Sequence, residues 1–268
     1  MVDFNKMLEE INIPKQLLDK TEAVAKTLFG PSFDELGGAI ADQVRARRWK
    51  NQLKIFENAQ KLLVEKNINP KKVSLKVLAP LIEFASYEEE ETLQTKWSNL
   101  IAHILTNDNE VLFHQNCISV LNKICSEEAA LLDKIHKDLV FRKEAKRSSE
   151  QDAYEKNRKF ISKLREPDFE LKHPVTSFIF EIKKIANESN LPRSKATFII
   201  SNLISLGLMK WEIGVEVSAK KSSEDPKDDE IDIDVDVYNN ETFAFTPFGD
   251  RFVQACKRPL DNTHSPIV

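Results

Sequence analysis

The chain has 268 residues, of which 41% are hydrophobic and 31% charged, and its formal net charge is −4. This length and apolar content suffice for one large or two modest domains. The balanced charge excludes a protein that binds nucleic acid over its whole surface, so any such contact requires a local basic patch.

The cysteines and histidines are scattered along the chain. Cys117, Cys125 and Cys256 form no C-x-x-C pair and fit a reducing cytosol better than a disulfide framework. The five histidines have no zinc-ligand spacing, so we expect neither a metal nor another cofactor. No apolar run approaches the roughly 20 residues of a membrane span, and the opening residues lack an apolar signal-peptide core. Together these features predict a cytoplasmic location.

An amphipathic segment and a long helix are the first predicted elements. Residues 16–29 have an apolar face that is typical of a bundle helix or of a helix on a membrane surface. A capping box from Ser32 to Glu35 then predicts the start of a helix over 32–66, where apolar residues recur at helical spacing. Asn69-Pro70 ends this helix.

The interval between Gly38 and Gly207 contains no glycine, and glycine weakens helix interiors. It therefore predicts further helices, at about 74–85, 86–106, 112–124 and 127–139. The second of these begins at another capping box, Ser86 to Glu89. Residues 142–172 are highly charged and are interpreted as a linker or an exposed helix.

The C-terminal third alternates helices with strands. A helix near 174–189 precedes a helix that Ser194 caps and Gly207 ends, with the apolar set Phe198, Ile199, Leu203, Ile204 and Leu206. Strands at 208–213 and 242–246 flank a long hairpin, and a final helix covers 248–256. This order, with the segments LISLGLMKWE and FAFTPFGDRFV, resembles a winged helix-turn-helix.

The predicted fold class is mainly α, with a helical N-terminal domain followed by a winged helix-turn-helix-like α+β domain. The expected divisions are a helical domain at 1–141, a charged linker or exposed helix at 142–172, the winged-helix-like domain at 173–258 and a disordered tail at 259–268.

The first candidate site surrounds Gly37 and Gly38. It lacks the preceding strand and the following Lys-Ser/Thr pair of a phosphate-binding loop, so we interpret it as a smooth helix face that lets a neighbour approach closely. The basic run 45–50 that follows has two interpretations. It is either a solvated helix face or a surface that grips phosphates, lipid headgroups or an acidic protein.

The second candidate site is the start of the helix after Pro192. In a DNA-binding winged helix this turn would meet base edges or phosphates, through Arg193, Ser194, Lys195 and Thr197. The hairpin is acidic, with eight acidic residues and three lysines from Lys220 to Asp236, and phosphate would repel it. A protein-contact or dimerisation module is therefore favoured over DNA binding.

The hairpin also contains Asp232, Asp234 and Asp236 at alternate positions. An EF-hand loop would need glycine in place of Val237 and glutamate in place of Phe243. The period of two instead predicts a strand with one apolar and one acidic face. No nucleophile–base or paired-carboxylate pattern supports catalysis.

Three segments carry a family resemblance, and they are FGPSFDELGGAIADQVRARRWKNQLKIFENAQKLL, NPKKVSLKVLAPLIEFASYEEEETLQTKWSNLIAHIL and the ending FAFTPFGDRFVQAC. They resemble the Abi-alpha family of bacterial proteins. These proteins are associated with abortive infection, which halts phage propagation at the expense of the infected cell. The resemblance is dense over residues 28–106 and implies no catalytic residue. It implies that the best candidates for a functional surface are Gly37, Gly38, Asp42, Arg45, Arg48, Asn51 and Gln52. The alternative is that these residues pack the long helix against its neighbours.

The leading hypothesis is a non-enzymatic antiphage protein that binds a phage or host component. The favoured partner is a protein, with self-association as a further option. A winged-helix DNA-binding regulator is the first alternative. A membrane-acting effector is the second, based on the amphipathic and basic residues at 16–50.

Overall fold

A computed structural model describes residues 15–30, 46–107, 110–157, 169–221 and 231–257. The fold is mainly helical, with an antiparallel three-stranded sheet near the C-terminus, and this confirms the predicted fold class. Contacts divide the chain into two compact units. Unit 1 comprises residues 1–130 together with 252–268, and unit 2 comprises residues 131–251.

The helices of unit 1 follow the apolar periodicity of the sequence. In chain order they are α1 (Lys15–Phe29), α2 (Ala46–Glu65), α3 (Leu75–Ala85), α4 (Glu91–Thr106) and α5 (Val111–Leu121). The predicted helix 32–66 is confirmed over the range of α2, whereas its first part and the capping box at Ser32 lie outside the described residues. The helix predicted at 112–124 is α5.

The core of unit 1 is built where α2 meets α4. Phe56 and Trp97 are almost fully buried, and the ring of Phe29 from α1 lies edge-on to Phe56 at 5.4 Å between centroids. Ser98 is small enough to allow close approach, and its hydroxyl donates to the carbonyls of Ile55 (3.0 Å) and Gln94 (2.8 Å). These bonds satisfy a buried hydroxyl that would otherwise be costly.

The capping box predicted at Ser86 is wrong, because Ser86 closes α3 instead of opening α4. Its hydroxyl donates to the carbonyl of Glu83 at 2.6 Å, and its amide donates to the same carbonyl at 3.2 Å. Ser86 thus closes the last turn of α3. Helix α4 begins five residues later, with Glu90 in the N-cap position and without a side-chain cap. The carboxylate of Glu88 accepts from the Glu90 amide at 2.9 Å in the connecting turn.

A long helix, α6 (Ser126–Asn157), extends well beyond the predicted 127–139 and enters the charged segment. Three of its basic residues lie over aromatic rings of unit 2. Arg142 lies 4.6 Å from the Phe180 ring centroid, Lys146 lies 5.8 Å from Phe178, and Arg147 lies 4.9 Å from Phe169. Cation–π contacts thus explain how a helix with few aliphatic residues packs here.

The end of α6 is also held by an ionic cluster. The short helix α7 (Phe169–Lys172) is followed by His173, whose Nε2 lies 2.6 Å from Glu150 Oε1. Lys172 Nζ donates to the same oxygen at 3.1 Å. These hydrogen bonds, first that of His173 and then that of Lys172, lower the pKa of the Glu150 carboxyl.

The predicted helix 174–189 is wrong over its first half. It comprises a 3-10 turn (Val175–Ser177), strand β1 (Ile179–Glu181) and a short helix α8 (Ile182–Glu188). Strand β1 alternates exposed, buried, exposed, so Phe180 alone enters the core, where its ring stacks on Phe243 at 5.7 Å. Residues 179–181 form a strand because they pair with β3. A three-residue segment is too short for its alternation to be recognised in the sequence.

The rest of unit 2 is a helix, a hairpin and a final helix: α9 (Arg193–Ser205), β2 (Met209–Lys221), β3 (Ile231–Phe245) and α10 (Pro247–Ala255). The strand order is β1-β3-β2, with antiparallel pairing throughout. Both hairpin strands are longer than predicted, and the alternating segment from Ile231 is a strand, as predicted. The tail after Lys257 lies outside the described residues.

The predicted start of helix α9 is wrong, whereas its predicted end is confirmed. The predicted cap at Ser194 is wrong, because the helix begins at Arg193 with Pro192 in the N-cap position. Gly207 ends it as predicted, with φ +75°, and its amide donates to the Ile204 carbonyl at 2.9 Å. The amide of Leu208 donates to the Leu203 carbonyl at 3.0 Å, which completes a Schellman motif.

The two motifs that led to the winged-helix prediction contact each other. The hydroxyl of Thr246 donates to the Gly207 carbonyl (2.6 Å) and accepts from the Gly249 amide (2.9 Å), so Thr246 caps α10. A Cβ atom at Gly249 would lie 1.9 Å from the carbonyl oxygen of Leu208. Glycine at this position therefore allows the first turn of α10 to lie against the end of α9.

Candidate functional site

The two sets of candidate residues lie in different units, and each is described by itself. Of the first set, Gly37, Gly38, Asp42 and Arg45 lie outside the described residues. Arg48, Asn51 and Gln52 lie on the first turns of α2. The second set lies at the start of α9 in unit 2.

Arg48 contacts the turn between α3 and α4. Its Nε donates to Ser86 Oγ at 2.9 Å, and its guanidinium carbon lies 3.8 Å from the centre of the Tyr87 ring. The same Ser86 hydroxyl donates to the Glu83 carbonyl. Arg48 thus clamps the start of α2 to the end of α3 through a hydrogen bond and a cation–π contact.

The neighbouring residues of α2 are also engaged within unit 1. Gln52 is buried, and its amide nitrogen donates to the Ile82 carbonyl at 3.0 Å. Trp49 is buried and Asn51 is half-buried. Packing accounts for the positions of Arg48 and Gln52, and a partner surface formed by the whole first set stays a prediction.

At the start of α9, Arg193 is paired with an acidic residue of the hairpin. Its Nε and Nη2 donate to Glu241 Oε2 at 3.0 and 2.7 Å. Glu241 has φ +54°, a strained conformation for this residue type. Residues 239–241 of β3 stand opposite Ile213 alone, between the pairs Glu212–Thr242 and Gly214–Tyr238. The ion pair therefore sits at a bulge in the hairpin.

The other predicted contact residues differ in how they are presented. Ser194 is exposed, and Lys195 is half-buried. The hydroxyl of Thr197 donates to the Arg193 carbonyl at 2.9 Å, so it bonds to its own helix. The start of α9 thus presents less free positive charge than the sequence suggested.

Phe198 was assigned to the apolar core set of this helix, and that assignment is wrong. Its side chain is 74% exposed, whereas its neighbours Ile199 and Ile200 are buried. At helical spacing from it lie three exposed serines, Ser194, Ser201 and Ser205. This serine spacing was the sequence signal that Phe198 lies on the solvent face, so α9 presents one aromatic ring amid small hydroxyl side chains.

A buried histidine pairs with a half-buried aspartate elsewhere in unit 2. His136 of α6 is 2% exposed, and its Nε2 lies 2.8 Å from Oδ1 of Asp250 in the first turn of α10. The Phe245 ring lies edge-on to the imidazole at 5.6 Å. The carboxylate fixes the orientation of the ring, which is the role such pairs play in protein interiors as well as in catalytic sites. This pair could not be predicted from the sequence, because its members are far apart in the chain.

Within the described residues, no group of three or more His, Cys, Asp or Glu side chains could hold a metal ion. No helix in the same residues is long and apolar enough to cross a membrane.

The fold and these surfaces define a mainly helical protein whose C-terminal α+β region presents one face of helix α9 to solvent. The family model for abortive infection alpha matches residues 42–256, and the chain belongs to this family. The resemblance noted in the sequence is thereby confirmed. Neither a curated protein nor a solved structure gives a significant match.

Proposed function

We propose that this protein acts in abortive infection by binding a phage or host component, without catalysing a reaction. Membership of the abortive infection alpha family suggests the antiphage role. Binding as the mechanism rests on the solvent face of α9, where a large apolar side chain is held out from a folded unit.

We infer further that unit 2 works as a winged helix-turn-helix-like module. The order β1, α8, α9, β2, β3 and the strand order β1-β3-β2 support this inference. In such modules the second helix of the pair, here α9, is the one that presents side chains to a partner.

A protein partner fits this helix better than a DNA duplex. Arg193 already pairs with Glu241, which reduces the charge available for phosphate. The hairpin beside it carries alternating aspartates that a phosphate backbone would repel. Phe198 offers an aromatic anchor of the kind that dominates protein–protein binding energies.

The exposure of Phe198 carries the proposal, and a matched pair of variants tests it. Phe198→Ser should abolish the protection of bacteria against a phage that the wild-type protein restricts. Leu112→Ser is the control, because Leu112 lies in unit 1 and is 73% exposed, nearly as much as Phe198. Both variants remove an exposed apolar side chain, so both should keep the wild-type melting temperature.

Plaque counts in cells with equal amounts of each protein decide the outcome. We expect wild-type counts with Leu112→Ser and counts near those of unprotected cells with Phe198→Ser. Full protection by a folded Phe198→Ser variant would remove α9 from the mechanism.

DNA binding is the second candidate function, and Lys195 and Arg193 in the first turn of α9 favour it. It predicts a salt-sensitive gel shift of duplex DNA that the double variant Arg193→Glu, Lys195→Glu abolishes. No shift with the wild-type protein at low salt would contradict it. A membrane-acting effector is less well supported, since Ala25, Leu28 and Phe29 on the apolar face of α1 are buried.

A further inference from the structure

In the hairpin of unit 2, β2 and β3 stay paired beyond the segment where β1 pairs with β3. Strand β1 pairs with β3 only at residues 242–244, whereas β2 and β3 stay paired from Gly214–Tyr238 to Lys221–Ile231. We call residues 214–221 and 231–238 the arm. A ribbon of two strands is marginally stable in water unless something covers one face.

The register of the arm separates its residues into two faces. Val215 pairs with Val237, Val217 with Val235 and Ala219 with Ile233, and residues paired in this way share a face. That face is therefore apolar. The other face carries the polar pairs, which are Glu216–Asp236, Ser218–Asp234 and Lys220–Asp232.

Two apolar side chains, one in the arm and one at its base, are exposed. The side chain of Val235 is 56% exposed, and that of Ile213 at the base of the arm is 59% exposed. Val235 stands on the apolar face of the arm, so this face is open to solvent at that position.

The strand order leaves β2 at an edge of the sheet within the described residues. An edge strand offers free backbone donors and acceptors to another strand, and charged residues decide which strand can pair. Self-pairing of β3 would place Asp232 opposite Asp236 and Asp234 opposite itself, so like charges oppose it.

Self-pairing of β2 has the opposite charge pattern. Glu216 and Lys220 lie two residues on either side of Ser218. If two copies of β2 run antiparallel with Ser218 at the centre, Glu216 of each copy stands opposite Lys220 of the other. Val217 then stands opposite Ala219, which joins the apolar faces of both arms.

We propose that two copies of this chain associate through antiparallel pairing of their β2 strands, centred on Ser218, so that their two arms form one four-stranded sheet. The occupant of the free edge is thus a second copy of the chain, selected by the two symmetric Glu216–Lys220 pairs. This inference goes beyond the proposed antiphage binding and does not depend on it, because it is tested on the purified protein alone.

Charge reversal in the full-length chain tests the pairing. Each single variant, Glu216→Lys or Lys220→Glu, creates two like-charge pairs in the dimer, and we expect its dissociation constant to rise about tenfold or more. The double variant Glu216→Lys, Lys220→Glu restores both opposite-charge pairs and should dimerise like the wild type. Sedimentation equilibrium over a range of protein concentrations measures the three constants.

The two single variants differ in their effect within one chain, which controls for loss of the arm itself. The lysine introduced at 216 faces Asp236 across the hairpin and is favourable there, whereas the glutamate introduced at 220 faces Asp232 and is unfavourable. Equal weakening of the dimer by both variants therefore reports on the contact between copies.

A cysteine cross-link provides an independent geometric test. In the proposed pairing the two Ser218 Cα atoms lie about 5 Å apart, which suits a disulfide. In a Cys125→Ser background, which removes the exposed native thiol, Ser218→Cys should form a covalent dimer on mild oxidation. The control is Ser201→Cys, which places a cysteine at an exposed position on α9. This variant should stay monomeric on non-reducing electrophoresis.

The proposal is overturned if the wild-type chain is monomeric up to about 100 µM, because a dissociation constant above that value is too weak for a specific dimer. It is also overturned if the wild type dimerises but charge reversal has no effect, or if the double variant stays monomeric. A dimer that is insensitive to charge reversal would use another surface of the chain.

Discussion

Single residues explain why the segments LISLGLMKWE and FAFTPFGDRFV belong together. Gly207 provides the left-handed turn that ends α9, and Gly249 lets α10 approach Leu208. The role of Gly207 could be predicted from its place after an apolar helix pattern. That of Gly249 could not, because the clashing carbonyl belongs to a residue that is distant in the chain.

The two glycines should respond differently to alanine. At Gly249 the new Cβ would meet a backbone oxygen at 1.9 Å, so Gly249→Ala should destabilise the protein by about 3 kcal/mol or more. At Gly207 the added methyl group meets nothing within 4 Å, and only the positive φ opposes it, at a cost of about 1 kcal/mol.

Urea unfolding of both variants, followed by circular dichroism, measures this difference. Gly207→Asn should recover part of the loss at that position, since asparagine tolerates the left-handed region better than alanine. Equal destabilisation by the two alanine variants would contradict the close approach at Gly249.

The Glu150–His173 contact predicts a pH dependence. Because the pKa of folded Glu150 lies below its usual value of 4.5, the carboxylate stabilises the fold fully above that value. This contribution is lost as the pH falls through the lower, folded pKa. The difference in stability between wild type and Glu150→Gln should therefore shrink as the pH falls below 4.5. Thermal melting of both proteins at each pH measures it, and a difference that grows below pH 4.5 would rule this contact out as its source.

At the scale of elements, apolar periodicity predicted the helices of unit 1 well and their starts poorly. Ser86 and Ser194 both match capping patterns, yet one ends the preceding helix and the other lies inside α9. A serine can satisfy whichever helix end is nearer, and the sequence pattern does not distinguish the two. The charged part of α6 was ambiguous for a related reason, since its partners are aromatic rings supplied by later segments.

The contact between Arg48 and Tyr87 joins two such elements and can be measured by a double-mutant cycle. Arg48→Ala should cost about 1–2 kcal/mol, and Arg48→Lys should recover little, because lysine keeps the charge but loses the planar fork. Combined with Tyr87→Ala, the cycle should give a coupling energy of about 1 kcal/mol. Additive losses would show that the ring and the guanidinium act independently.

At the scale of the whole molecule, composition and glycine spacing predicted a mainly α protein with an α+β C-terminal region. They could not reveal the third strand or the exposure of Phe198. Both depend on which segments meet in space, whereas periodicity reports only whether a face is apolar. Of the candidate site, the position of α9 was predicted, whereas the pairing of Arg193 with Glu241 and the exposure of Phe198 were not. The role of α9 as a contact surface stays a prediction.

A pull-down from infected cells addresses the whole protein. If the partner is a protein bound by α9, its recovery should survive nuclease treatment and should fall at least tenfold with Phe198→Ser. Leu112→Ser again serves as the control. Loss of the partner on nuclease treatment would instead favour the DNA-binding alternative.

Asn99 and the end of the chain give unit 1 an unusual order of assembly during synthesis. The buried amide of Asn99 in α4 donates to the Cys256 carbonyl at 3.0 Å, and residues 252–257 cluster with unit 1. The ribosome therefore makes most of unit 1 first but releases its last contributing residues only after all of unit 2. Because such a non-local contact forms late, the first unit to be translated is the last that can complete its fold.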